Sequence, residues 1–386
     1  MKFKKSVLSI AIAAAFAAGS AWADIDAGTP ESSSTGNSAV ITQTGGSDNT
    51  AVIDQTGNRN TGSVEQDNTS NANANVLTVG DDNSATVFQQ GSNGTVNVTQ
   101  MNATGSSATA TQTESYSDNN RVDITQDATA NSSASVDQDD YNHQATINQS
   151  NGADMNAIVS QSDDAQVATV NQNAGNGLSA AVSQDGTNNV ATINQTGNSN
   201  SVEVSQVEDG SDNTALVNQD GNNSFVYVTQ TATMGSMVEV NQTEAYSDGN
   251  VADVMQASTV DSSVSVSQDD GNNIAIVTQS DGANLSASVD QSDLANLASI
   301  SQSSGNDLSA SITQDGEGNE ATLTQAGGAF NSASITQDED AAFNVATVTQ
   351  DGGLGNVALV MQHGTGNDAT ISQLGGANNS ASIYQR

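Results

Sequence analysis

The chain contains no cysteine, one proline (Pro30), one tryptophan and two histidines in 386 residues, and aromatics make up only 3% of it. Each scarcity excludes something. Without cysteine there is no disulfide framework and no thiolate chemistry. With so few aromatics and 34% hydrophobic residues, no conventional core of bulky side chains can form. His143 and His363 have no partner at catalytic or zinc-binding spacing. Apart from residues 7–18, no apolar run approaches the roughly 20 residues that cross a bilayer. Positive charge is scarcest of all: after Lys5 only Arg59, Arg121 and Arg386 are basic, and no lysine follows.

The first residues form a unit of their own. Met1–Lys5 is basic, Val7–Ala18 is apolar and Ala21-Trp22-Ala23 is a small-residue cleavage motif. This is the pattern of a secretory signal peptide over residues 1–23, cut between Ala23 and Asp24. Residues 24–36 then read as a flexible polar leader, and residues 37–386 as one repetitive body. Cleavage removes Lys2, Lys4 and Lys5, so three arginines face 44 carboxylates and the mature net charge is −41. Such a chain excludes nucleic acid and anionic lipid as main partners.

Low hydrophobicity with high net charge normally means disorder, but this sequence is periodic. Asn37-Ser-Ala-Val-Ile-Thr-Gln43 returns as Asn49-Thr-Ala-Val-Ile-Asp-Gln55, Asn189-Val-Ala-Thr-Ile-Asn-Gln195, Asn331-Ser-Ala-Ser-Ile-Thr-Gln337 and Asn379-Ser-Ala-Ser-Ile-Tyr-Gln385. Period-two alternation with β-branched residues predicts a strand, with Asn, Ala, Ile or Val, and Gln on one face. Glutamines recur in steps of mostly 11 and 12, so a unit of about 23 residues holds two strands. Only one place lacks its glutamine, between Gln66 and Gln89. Short linkers rich in Gly, Asn and Asp suit tight turns. A longer repeat is superimposed: Gln112-Thr-Glu-Ser-Tyr-Ser-Asp118 matches Gln242-Thr-Glu-Ala-Tyr-Ser-Asp248, and the surrounding glutamines keep the same offset of 130.

Two strands so joined can pair as a hairpin, or each can stack on its equivalent one unit later. The second arrangement is favoured. It predicts an all-β solenoid of about 15 strand–turn–strand rungs, two stacked parallel sheets with cross-β spacing of about 4.8 Å. In it, identical amides lie above one another and hydrogen-bond along the stack, which makes buried amides tolerable. The predicted ladder, and core of any fibre, comprises Asn37 and Gln43, Asn49 and Gln55, Asn60 and Gln66, Asn83 and Gln89, Asn189 and Gln195, Asn213 and Gln219, Asn250 and Gln256, Asn319 and Gln325, Asn331 and Gln337, Asn344 and Gln350, Asn356 and Gln362, Asn367 and Gln373, and Asn379 and Gln385. Where Leu178, Leu285, Leu308, Ser132, Ser236 or Ser262 replaces the leading Asn, the rung has to pack differently. No capping segment follows the last repeat, so an open edge that templates addition is expected.

The pattern Asn-x-Ala-x-x-x-Gln-x-Gly, as in Asn37–Gly45 and Asn367–Gly375, resembles the curlin repeat of bacterial curli fibres. The resemblance covers nearly the whole mature chain, although this chain has about three times the usual number of repeats and only a short leader. It implies a secreted structural subunit of extracellular amyloid fibres in biofilm matrix, serving adhesion and cell aggregation. It further implies a Gram-negative host, a homopolymer, a minor nucleator subunit, an outer-membrane secretion pore and a periplasmic chaperone.

No catalytic, cofactor or metal site is expected. There is no Gly-x-Ser-x-Gly elbow, and the Asp-Gly loops match neither the calcium nonapeptide nor the EF-hand. The alternative to a fibre subunit is a monomeric secreted solenoid that binds a surface, glycan or cation. Variation at outward positions such as Val40, Asp54, Glu65, Phe88 and Asn97 speaks against a uniform lattice-matching face.

Overall fold

The computed structural model describes residues 36–113, 119–243 and 249–386, and the backbone of two earlier strands, Ser9–Ala14 and Trp22–Asp24; side chains of residues 339–341 are outside the description. Residues 25–35 of the expected leader, and the rest of the expected signal segment, lie outside the described residues. Every regular element among the described residues is a β-strand. In each compact unit two parallel sheets stack as a β-solenoid, and the turns of the two number about 15.

The chain divides into two compact units, Met1–Asp185 and Gly186–Arg386. In the first, one sheet runs from Ser38–Thr44 to Ser179–Gln184 and the other from Thr50–Asn58 to Val167–Asn173. In the second, the corresponding series run from Ser201–Val207 to Asp368–Leu374 and from Val190–Asn198 to Ser380–Gln385. Consecutive strands never pair with each other. Each pairs in parallel with the next strand but one, so Ser38 lies beside Thr61 and Gln43 beside Gln66, 23 residues on. That excludes the hairpin.

The alternation dictates what the sheets bury. In Val190–Asn198 the residues Ala191, Ile193 and Gln195 point inward, while Val190, Thr192 and Asn194 stay partly exposed. The same holds along both units, so the interior is a narrow file of Ala and Val, Ile or Leu closed by Gln. Small Ala lets the sheets approach, and each branched side chain contributes about 1.5–3 kcal/mol by burial.

The turns stack as well. Ser47 N–H donates to Thr69 O (3.1 Å) and Asn71 N–H to Ser47 O (3.0 Å), so the arcs continue the parallel pairing. Left-handed positions go mostly to Asp and Asn, such as Asp48 (φ 59) and Asn71 (φ 56), and to glycine, with Ala, Ser and a few larger residues such as Phe330 (φ 56) at others. At Gly46 (φ 73) the carbonyl of Thr69 comes so close that a Cβ would sit 1.6 Å from it, so no other residue fits.

The 130-residue repeat corresponds to 11 strands, as from Ser107–Thr113 to Met237–Thr243. Eleven is odd, so the copy of a rung's first strand is the second strand of a later rung.

Candidate functional site: the amide columns

The inward glutamines form continuous chains of side-chain hydrogen bonds. In the first unit Gln43 Nε2 donates to Gln66 Oε1 (2.7 Å), Gln66 to Gln89 (2.9 Å), Gln89 to Gln112 (2.9 Å) and Gln112 to Gln138 (3.0 Å). In the second, Gln195 donates to Gln219 (3.0 Å), Gln219 to Gln242 (2.8 Å) and Gln337 to Gln362 (2.8 Å), which donates to Gln385 (2.8 Å). The parallel column there links Gln256, Gln325, Gln350 and Gln373 with the intervening glutamines at 2.7–2.8 Å. Every Nε2 in these chains faces the next rung along the sequence, so the ladder has a direction. The same amides also reach across to the other sheet: Gln66 Nε2 lies 3.1 Å from Thr50 O and Gln325 Nε2 3.1 Å from Ser309 O. One amide thus ties rung to rung and sheet to sheet.

The asparagines behave differently from the amide-to-amide ladder expected of them. Asn37 Oδ1 accepts the backbone N–H of Asn60, and Asn60 Oδ1 that of Asn83, both at 3.0 Å. Asn60 Nδ2 donates to Gly80 O (2.7 Å) and Thr56 O (3.2 Å), both backbone carbonyls near the ends of strands. The side chains of Asn49, Asn250, Asn319, Asn331, Asn344, Asn356, Asn367 and Asn379 likewise bond to backbone. Asn213 Nδ2 to Asn189 Oδ1 (3.1 Å) is a side-chain pair in the same column. The reason is reach. One methylene shorter than Gln, Asn meets nearby backbone before it meets its neighbour's amide.

Most of the named amides are fully buried; Gln43, Gln55, Asn367, Asn379 and Gln385, towards the two ends of the repeat series, are partly or wholly exposed. Further members of the columns, among them Gln100, Gln126, Gln149, Asn120, Asn200, Asn273 and Asn296, are also buried. Their six-residue Asn-to-Gln or 11- and 12-residue Gln-to-Gln spacing already marked them.

Where Asn is replaced, an apolar column takes over. Met155 and Leu178 occupy successive rungs of one sheet, Leu285 and Leu308 successive rungs of the other, all fully buried. Each column starts above a serine: Ser132 Oγ accepts Met155 N–H (3.3 Å) and Ser262 Oγ accepts Leu285 N–H (3.1 Å). Gly152, Gly282 and Gly305 leave the room these larger side chains need, since a Cβ there would lie 2.6–3.0 Å from them.

The outward faces are less variable than the isolated positions suggested. In the second unit Ser263, Ser286, Ser309 and Ser332 align, as do Ser265, Ser288, Ser311 and Ser334, giving a flat Ser-x-Ser array four rungs long. This array is invisible until the register is known. His363 pairs with Asp338 (2.6 Å), both partly exposed. Among the described residues no cluster of His, Asp or Glu is arranged to hold a metal ion, and no helix is long and apolar enough to cross a membrane.

The model of the curlin associated repeat matches residues 175–207, 305–338 and 344–375. The chain carries curlin repeats in these three segments. No curated protein that was compared matches it. The three matched segments carry the same inward glutamines as their neighbours, and each spans three successive strands of the stack. Two of them include Leu178 and Leu308 in the Asn place, so the repeat accommodates an apolar rung. Curlin-repeat β-solenoids are structural rather than catalytic proteins.

Proposed function

We propose that this protein is a secreted subunit of extracellular, amyloid-like fibres that grow when one copy stacks its rungs on another. The observation that carries this reading is the direction and sameness of the Gln ladder. Each rung presents Oε1 acceptors on one side and Nε2 donors on the other, with the same residues at the same register. A rung of a second copy therefore meets the same partner that a rung of the same chain meets. Asn37–Gln55 and Asn367–Gln385, the first and last rungs of the repetitive body, share the 12-residue Gln step and a Gly-Gly turn, so they match for stacking on each other. A mature charge of −41 would keep copies apart until ladder bonding offsets the repulsion.

In the full chain the backbone of Ser9–Ala14 pairs with Ser38–Gln43, and Trp22–Asp24 with Thr50–Val52. Cleavage after Ala23 would remove that cover. On this reading the partners are other copies of the chain, with a nucleator, an outer-membrane pore and a chaperone supplied by the curli-type pathway. The location is the outside of a Gram-negative cell, in biofilm matrix and in adhesion between cells.

The Ser-x-Ser array favours a second reading, a solitary solenoid that displays a flat face to a surface or glycan. One experiment separates the two. Purified Asp24–Arg386 is incubated and followed by thioflavin fluorescence, circular dichroism and electron microscopy. Lagged, seedable growth of β-rich fibres supports the subunit; a β-rich monomer that never polymerises supports the solitary solenoid.

A further inference from the structure

His143 is the only ionisable side chain among the buried residues of the described columns, and the fibre reading gives it no role. It stands in the Asn place, wholly buried, between Asn120 of the previous rung and Gln166 of the next. Its Nε2 lies 2.7 Å from the carbonyl of Asp139, and its Nδ1 lies 3.4 Å from the backbone N of Gln166. A carbonyl needs a donor and an N–H needs an acceptor. The neutral ring with its proton on Nε2 satisfies both.

The repeat supplies its own comparison 130 residues later. There Asn273 Nδ2 donates to Asp269 O (3.0 Å), and Asn273 Oδ1 accepts the N–H of Asn296 (3.0 Å). Asp139, His143 and Gln166 correspond one for one to Asp269, Asn273 and Asn296. Neutral His143 thus reproduces the asparagine staple with a ring. The difference is that a ring takes up a proton. Protonated, Nδ1 becomes a donor that points at the Gln166 N–H, and the staple turns into a clash of two donors.

We propose that His143 makes the step from its rung to the Gln166 rung an acid-sensitive joint, closed when the ring is neutral and loosened when it is protonated. Charges around the ring act in both directions. Asp139 and Asp140 on its own turn and Asp163 and Asp164 on the next favour the protonated ring, through carboxylate charge and the carbonyls of Asp139 and Asp163. The described part of the preceding turn, Asn119 and Asn120, carries no charge. Burial outweighs them and holds the imidazole below its ordinary range. The sign follows. Above the ordinary imidazole range the ring is neutral in folded and unfolded chain alike, and the joint has its full strength. As pH falls from that range through the depressed folded value, the unfolded chain takes up the proton more readily, and the contribution is lost.

The test is amide hydrogen exchange on the purified protein near pH 7.5 and near pH 5, corrected for the intrinsic pH dependence of exchange. Gln166 and Asn296 are compared within one sample. Near neutrality their protection should be similar. Near pH 5 Gln166 should exchange at least about fivefold faster relative to Asn296, the lower end of what a buried donor without its acceptor produces. His143→Asn, the residue the repeat itself uses, should abolish the difference, and Asn273→His should transfer it to Asn296. The proposal is overturned if Gln166 and Asn296 keep step at both pH values, or if His143→Asn loses protection in acid as the native chain does.

Discussion

Gln55 and Thr78 stand opposite each other on neighbouring rungs, in a column whose described steps otherwise, apart from the one from Thr78 to Gln100, place glutamine beside glutamine. Gln55 Nε2 is buried there with no hydrogen-bond partner. Thr78 reaches only forward, through its hydroxyl to Gln100 Oε1 at 3.3 Å. This is the rung where the sequence drops its glutamine, and a buried donor left unmet is costly.

Thr78→Gln should therefore close the gap. The new amide would accept from Gln55 and donate to Gln100, and stability should rise by about 1–3 kcal/mol. A higher denaturant midpoint checks it; an unchanged or lower midpoint would mean that Gln55 is satisfied by other means.

The reverse change within an intact column should be severe. Gln256 accepts from Gln230 and donates to Gln279, both at 2.8 Å. Gln256→Leu leaves one donor and one acceptor buried and unpaired, which should cost about 2–5 kcal/mol. Equilibrium unfolding measures it. A loss below about 1 kcal/mol would show that the ladder is incidental to stability.

How much of this was legible beforehand depended on which period carried it. Strands, rung length and parallel stacking follow from Gln43, Gln55 and Gln66, because a 23-residue repeat of alternating residues has one economical way to pair its edges. The division of labour between the columns was hidden. Whether Asn60 Nδ2 donates to the side-chain amide of Asn83 or to the carbonyl of Gly80 turns on a single methylene. The Ser263–Ser332 array was hidden for another reason: successive strands belong to opposite sheets, so outward residues read in chain order mix two faces. The apolar column of Met155 and Leu178 looked like two lapses of the repeat until stacking made them neighbours.

Carboxylates on the outer faces should leave a trace in pH dependence. Partial burial, and then the charge of Asp139, holds the Asp137 carboxyl above the usual range. A carboxyl raised in the folded state is harder to ionise there than in the unfolded chain, so it weakens the fold at neutral pH and ceases to do so as pH falls. Asp137→Asn should raise the melting temperature near pH 7. The gain should shrink on acidification and vanish below the ordinary value of 3.8. A gain that persists in acid would have another origin.

Processing should control assembly. Because Ser9–Ala14 occupies the backbone edge of Ser38–Gln43, protein that retains residues 1–23 should add to preformed fibres more slowly than protein that begins at Asp24. Seeded elongation followed by thioflavin compares the two, and equal rates would show that this edge takes no part in growth. Ile371→Pro and Ile383→Pro, placed in the strands Asp368–Leu374 and Ser380–Gln385, should impair elongation at the opposite edge by removing a backbone donor and distorting the strand.

The central claim is that one copy continues another in register, and the absence of cysteine makes it directly testable. Ser38 heads the first strand after Asp24, and Asp368 holds the equivalent place in the strand Asp368–Leu374, one rung after Val345. Stacked in register, Ser38 of one copy would lie about 4.8 Å from Asp368 of the next, within disulfide reach. Fibres of the double variant Ser38→Cys with Asp368→Cys, oxidised mildly, should resolve into a covalent ladder of multimers. The pair Ser38→Cys with Val345→Cys, one rung out of register, should not. Fibres in which neither pair links, or in which the displaced pair links instead, would contradict the account.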